Sequence, residues 1–178
     1  DPFNSARGAY FQRSVGGYPG AKLGRYQEVI DKYLSEFSPE VLAALNTRYV
    51  IYGGEAMPME SITGVAPYGA AWFVSDVERE ATTSEELAAL GSVALDSTAV
   101  VSSSVEGLEP VYDASGTIEL VEYAPNYLKY EYSTPAESLC VFSEIYFPEG
   151  WSVTIDGVAA EYFAADYILR GMELPAGT

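Results

Sequence analysis

From Lys22 onward the apolar residues Leu23, Tyr26, Ile30, Tyr33, Leu34 and Phe37 recur every three or four positions, which places them on one face of a helix. Ser38-Pro39-Glu40 then offers an N-cap, a proline at the first helical position and an early acid, so a second short helix carrying Val41, Leu42 and Leu45 is expected. The runs 49–52 and 71–74 are apolar and rich in aromatic or β-branched residues, and the first is closed by Gly53-Gly54; both read as buried strands of a small sheet. Thr83 with Glu86 three residues later resembles a capping box ahead of Leu87 to Leu90, with Gly91 as the stop.

After Gly116 the period changes from helical to alternating. Leu128, Tyr130 and Tyr132 face one way while Tyr127, Lys129 and Glu131 face the other, because successive strand side chains point to opposite sides. Leu139, Val141, Ile145 and Phe147 suggest a further strand, and Trp151, Val153 and Ile155 another, with their aromatic and aliphatic side chains in a core. Asp156-Gly157 is a two-residue hairpin signal, since a type I′ turn needs positive φ at both central positions. Residues 167–174 supply a last strand. The stretch from Ser102 to Gly116, rich in serine, glycine and acids, reads as a linker. The expected fold is α+β: N-terminal helices with a small sheet over 1–104, then an antiparallel β-sandwich-like part over 112–178, packed into one compact unit.

Charge sharpens this picture. Residues 1–50 carry six bases against five acids, whereas the remaining 128 carry only Arg79, Lys129 and Arg170 against 21 acids, within a net charge of −17. So acidic a body repels a phosphate backbone, which argues against a nucleic-acid partner and directs any anion contact to the N-terminal end. There Tyr10, Phe11 and Tyr18 lie in a Gly-rich loop ahead of Lys22 and Arg25 at a helix start. These five residues form the candidate ligand site, suited to a phosphate or a glycan.

The chemistry excluded is broad. With no histidine, the chain forms no His-dependent triad and no His-ligated metal site, so no metal and no cofactor is expected. No phosphate-binding loop of the G-x-x-x-x-G-K-[ST] kind occurs. The acidic pairs Glu78/Glu80, Glu85/Glu86 and Glu119/Glu122 read as solvated surface, and no catalytic residue is assigned. Cys140, the lone cysteine, lies in an apolar run and reads as a buried, inert thiol. No stretch has the ~20 apolar residues of a membrane helix.

Three stretches together resemble one family. They are Gly16-Gly17-Tyr18-Pro19-Gly20-Ala21-Lys22-Leu23 with Arg25-Tyr26; Leu45-Asn46-Thr47-Arg48-Tyr49-Val50-Ile51; and Phe142-Ser143-Glu144-Ile145-Tyr146-Phe147-Pro148 with Gly150-Trp151 and Ile155-Asp156-Gly157. In order and spacing they are similar to the C-terminal extracytoplasmic region of YfhO-type bacterial polytopic membrane proteins. The resemblance implies a glycosyltransferase-like parent that uses lipid-linked sugars, with its catalytic carboxylates in membrane-portion loops outside this chain. Pro19 stands where that family commonly has a histidine, so the loop is not expected to perform acid-base chemistry. The closing Pro175-Ala176-Gly177 turn resembles a hairpin that continues towards the membrane, so the chain is expected to be a piece of a longer protein. The implied partners are the membrane-embedded remainder and a lipid-phosphate sugar or envelope glycan. Two other functions fit the residues: a stand-alone carbohydrate-binding module, and a purely structural or interaction domain.

Overall fold

The computed structural model describes residues 3, 9–10, 13–17 and 22–177, and the chain forms two compact units, 1–67 and 68–178. It is an α+β protein.

In the first unit, helix α1 (Gly24–Val29) runs directly into a π-helical turn (Ile30–Leu34), in which Ser35 N–H reaches back five residues to the Ile30 carbonyl at 2.9 Å. Val29, Ile30, Tyr33 and Leu34 form its buried face. Phe37, expected on that face, instead ends the helix at φ +57°, with its ring exposed. Glycine is the usual residue for this left-handed stop. Helix α2 (Pro39–Ala44) begins as expected after Ser38, with proline at its first position, and Asn46 at φ +52° closes it. Strands β1 (Tyr49–Tyr52) and β2 (Glu55–Pro58) form a hairpin across Gly53-Gly54, both at positive φ. β1 pairs only with β2 among the described residues, and its Tyr49, Ile51 and Tyr52 are 62%, 54% and 78% exposed, against the buried strand expected. Helix α3 (Met59–Thr63) follows, with Met59 fully buried.

The second unit is built on a six-stranded sheet formed by β3 (Ala71–Val74), β4 (Asp76–Glu80), β5 (Thr98–Ser102), β8 (Ser138–Phe142), β11 (Phe163–Ala165) and β12 (Leu169–Leu174). Its spatial order is β3-β8-β12-β11-β5-β4. Only β4 and β5 run parallel, joined by helix α4 (Thr83–Ala89), so the sheet is mixed rather than wholly antiparallel. The cap of α4 lies one residue earlier than expected. Thr82 accepts the Glu85 N–H at 3.2 Å and donates to the Glu85 carboxylate at 2.8 Å, which leaves Glu86 to turn inward and be buried.

One face of the sheet carries Ala71, Phe73, Cys140, Met172 and Leu174. Two hairpins pack against it. The first is β6 (Thr117–Ala124) with β7 (Tyr127–Ser133), contributing Ile118, Tyr130 and Tyr132; the second is β9 (Val153–Ile155) with β10 (Val158–Ala160), contributing Val153, Ile155 and Ala160. This layering is the sandwich-like element expected, and Asp156 (φ +51°) with Gly157 (φ +82°) makes the foreseen turn. The opposite register of the strands buries Trp72, whose indole N–H donates to the Leu95 carbonyl at 3.0 Å.

The division expected between 104 and 112 gives way to one at 67/68, because β3 to β5 hydrogen-bond with β8 and β11. Residues 102–116 are therefore a loop within the second unit. Arg79 pins it through the Val105 and Leu108 carbonyls, at 2.6 and 2.9 Å, and Tyr112 N–H bonds the Ser75 carbonyl. Two strand boundaries also differ. β8 ends at Phe142, leaving Ile145 and Phe147 in an irregular segment, and β12 begins at Leu169 because Asp166 and Tyr167 are both left-handed.

Candidate functional site

Of the five residues singled out in the sequence, Phe11 and Tyr18 lie outside the described residues. Tyr10 is 82% exposed. Lys22 donates from Nζ to Gln27 Oε1 at 3.0 Å, and Gln27 Nε2 donates to Asp31 Oδ1 at 2.7 Å, so the lysine is drawn into a side-chain chain along α1. Arg25 sits half-buried on the first turn of that helix. Next to it, Tyr26 donates to the Val15 carbonyl at 2.6 Å, fastening the preceding loop; burial pushes its phenol up to about 12. With only six α-helical residues, α1 provides little macrodipole for an anion.

A denser cluster lies in the second unit, around Arg170. Alternation along β12 puts residues 170, 172 and 174 on one side, so this arginine shares the core face with Met172 and Leu174 and is paired in register with Phe142 of β8. Its guanidinium carbon stands 4.4 Å from the Trp151 ring centroid and 5.8 Å from that of Tyr162. Both distances are within cation-π range. Nε donates to the Ile145 carbonyl at 3.2 Å; among the described residues neither Nη donates a hydrogen bond.

Aromatic contacts extend the cluster in two directions. Tyr146 meets Tyr162 edge-on at 5.7 Å, and Tyr162 donates to the Phe147 carbonyl at 3.1 Å. Tyr130 of β7 meets Phe142 edge-on at 5.0 Å. The Tyr130 hydroxyl is shut off from solvent without a hydrogen-bond partner. Burial chiefly, and then the Glu144 charge, raise its pKa, while the Arg170 charge lowers it. The irregular segment 143–152 is thus held by side-chain clasps and by backbone bonds from Ser143 to Ala70 and from Tyr146 to Ile168.

The sequence placed Trp151 in a core and passed over Arg170, Tyr146 and Tyr162. A signal was present: in an acidic stretch, the lone base Arg170 falls in phase with Met172 and Leu174, where an apolar residue is the norm. Such a cation must be paired or stacked.

Two other features bear on chemistry. An open depression of about 510 Å³ is lined by Ser115, Thr117, Ser133, Thr134, Pro135 and Gly177. The Thr134 hydroxyl lies 2.6 Å from that of buried Ser138, and both are held at the Ala136 carbonyl, at 3.0 and 3.1 Å. Among the described residues, no three His, Cys, Asp or Glu side chains are grouped to hold a metal. Cys140 is fully buried, and burial drives its thiol pKa upward, away from the reactive thiolate. No helix among the described residues is long and apolar enough to cross a membrane. No family model, curated protein or solved structure matches the chain.

Proposed function

We propose that the chain is a recognition domain on the extracytoplasmic side of a bacterial membrane. In this reading it belongs to a YfhO-like polytopic protein that transfers lipid-linked sugars, and it supports that transfer without catalysing it. The observation that carries the proposal is the half-buried Arg170 guanidinium stacked on Trp151 and flanked by Tyr162. Aromatic planes match the C-H faces of sugar rings, and a guanidinium edge supplies directed donors. Phe142, Tyr146 and Trp151 belong to the third stretch of the resemblance, so the family-like motif and the cluster coincide. Lys22 is engaged by Gln27, which favours this cluster over the Lys22/Arg25 reading. The partners are the membrane-embedded remainder of the protein and an envelope glycan or lipid-phosphate sugar.

The test has two arms. The isolated chain is titrated with envelope oligosaccharides while tryptophan emission is followed, and Trp151→Ala is assayed for sugar transfer in the full-length protein at matched membrane levels. Saturable binding with reduced transfer is the expected result. A chain that binds none of the oligosaccharides, together with undiminished transfer by the variant, would leave only a scaffold role.

A further inference from the structure

Given the recognition role proposed for it, on which this inference rests, the same cluster also constrains the chemistry of its ligand. Arg170 spends Nε on the Ile145 carbonyl and its planar face on Trp151, which leaves the Nη edge without a hydrogen bond among the described residues. The Tyr130 hydroxyl on the neighbouring hairpin is buried and also unpartnered. That hydroxyl is closed off from solvent, whereas the half-buried Arg170 keeps its Nη donors within reach of solvent, so they are open to an acceptor brought by a ligand. The acceptor that fits two parallel N–H groups is a planar, bidentate carboxylate.

We infer that the Arg170-Trp151-Tyr162 cluster selects a glycan residue bearing a carboxylate, the guanidinium edge gripping the acid and the aromatic rings packing the sugar's apolar face. The surroundings make this selection a short-range matter. Residues 68–178 hold three bases against 19 acids, so the field beyond the cluster repels an acidic ligand and does not steer it in. Glu144, Glu149 and Glu161 are close in sequence to the cluster's own residues and set the same sign. Affinity must therefore come from the stacked contact and the bidentate pair, and removing the ligand's charge should remove most of it.

The probe is trigalacturonate, compared with its fully methyl-esterified form, which keeps the rings and loses the charge. Titrations use the whole chain and follow tryptophan emission, with calorimetry as a second readout. The acidic trisaccharide is expected to bind at least roughly tenfold more tightly than the ester, a ratio in keeping with a charge-assisted pair. Arg170→Gln should erase the ratio, and Arg170→Lys should restore it only in part, because an ammonium lacks the planar fork. Near-ultraviolet circular dichroism of both variants monitors the aromatic packing, and the comparison within the unaltered chain stands even where a variant misfolds. Equal binding of the acid and the ester overturns the carboxylate inference while sparing glycan recognition. Absence of binding to both probes, with a neutral envelope oligosaccharide still bound, overturns it in the same way, and no binding to any glycan removes both readings.

Discussion

Asp166 and Val100 exchange two hydrogen bonds across the β5 edge: Val100 N–H donates to Asp166 Oδ1 at 2.9 Å, and Asp166 N–H donates to the Val100 carbonyl at 2.7 Å. The aspartate takes a strand's place opposite Val100 while itself sitting in a left-handed turn, with φ +47° and 2% exposure. Its second oxygen is buried and unpartnered. Burial raises the carboxyl to about 7, with the Val100 N–H opposing the rise.

A raised carboxyl pKa makes stability fall with pH. The folded chain holds this proton where the unfolded chain has released it, so the contribution is complete below the ordinary carboxylate value near 3.8 and is lost by about 7. The loss is on the order of a few kcal/mol. Asp166→Asn keeps the Oδ1 acceptor and suits the left-handed φ. It should flatten this slope, leaving the variant relatively more stable than the parent at about pH 8 than at about pH 5. Urea unfolding at both values checks this; an identical difference at each would show that ionisation of Asp166 is not the cause.

The cap of α4 separates two neighbouring threonines. Thr82 accepts the Glu85 N–H and Thr83 makes no cap, so Thr82→Ala should lower stability by about 1 kcal/mol and Thr83→Ala by only a few tenths. Denaturation midpoints of the pair are the measurement.

Gly171 lies against the Phe163 ring, and an added Cβ would also come within 3.0 Å of the Ala165 Cβ. Gly171→Ala should therefore destabilise by about 1–3 kcal/mol through overpacking. Adding Phe163→Leu ought to recover part of that loss. Purely additive effects in a double-mutant cycle would contradict the contact.

Cys140 has no accessible surface and a raised thiol pKa, so a thiol-disulfide reagent should leave the native chain unmodified and react only on unfolding. A native-state rate near that of a free thiol would show that the β3-β8-β12 face opens.

What could be read in advance was local. The apolar period of Ile30, Tyr33 and Leu34, the proline start at Pro39 and the Asp156-Gly157 turn are fixed by neighbours in the chain, and the structure has them where expected. Partner choice is not local. Tyr49 to Tyr52 and Ala71 to Val74 look alike as apolar runs, yet the first remains an exposed hairpin and the second is buried and pairs with distant β8. Thr82-Glu85 and Thr83-Glu86 carry the same signature, and the burial of Glu86 separates them only once α4 is packed. The Arg170 cluster was hardest to foresee, because its members come from the segment 143–152, the approach to β11 and the start of β12.

Of the six strands of this sheet, the latest in chain order, β12, occupies the middle, between β8 and β11. Until it arrives, β3 with β8 and β11 with β5 and β4 are two separate ribbons, each exposing an unpaired edge. Assembly of this unit therefore waits for the ribosome to deliver residues 169–174, and that interval, when two open edges face the surrounding medium together, is when another chain can insert in their place.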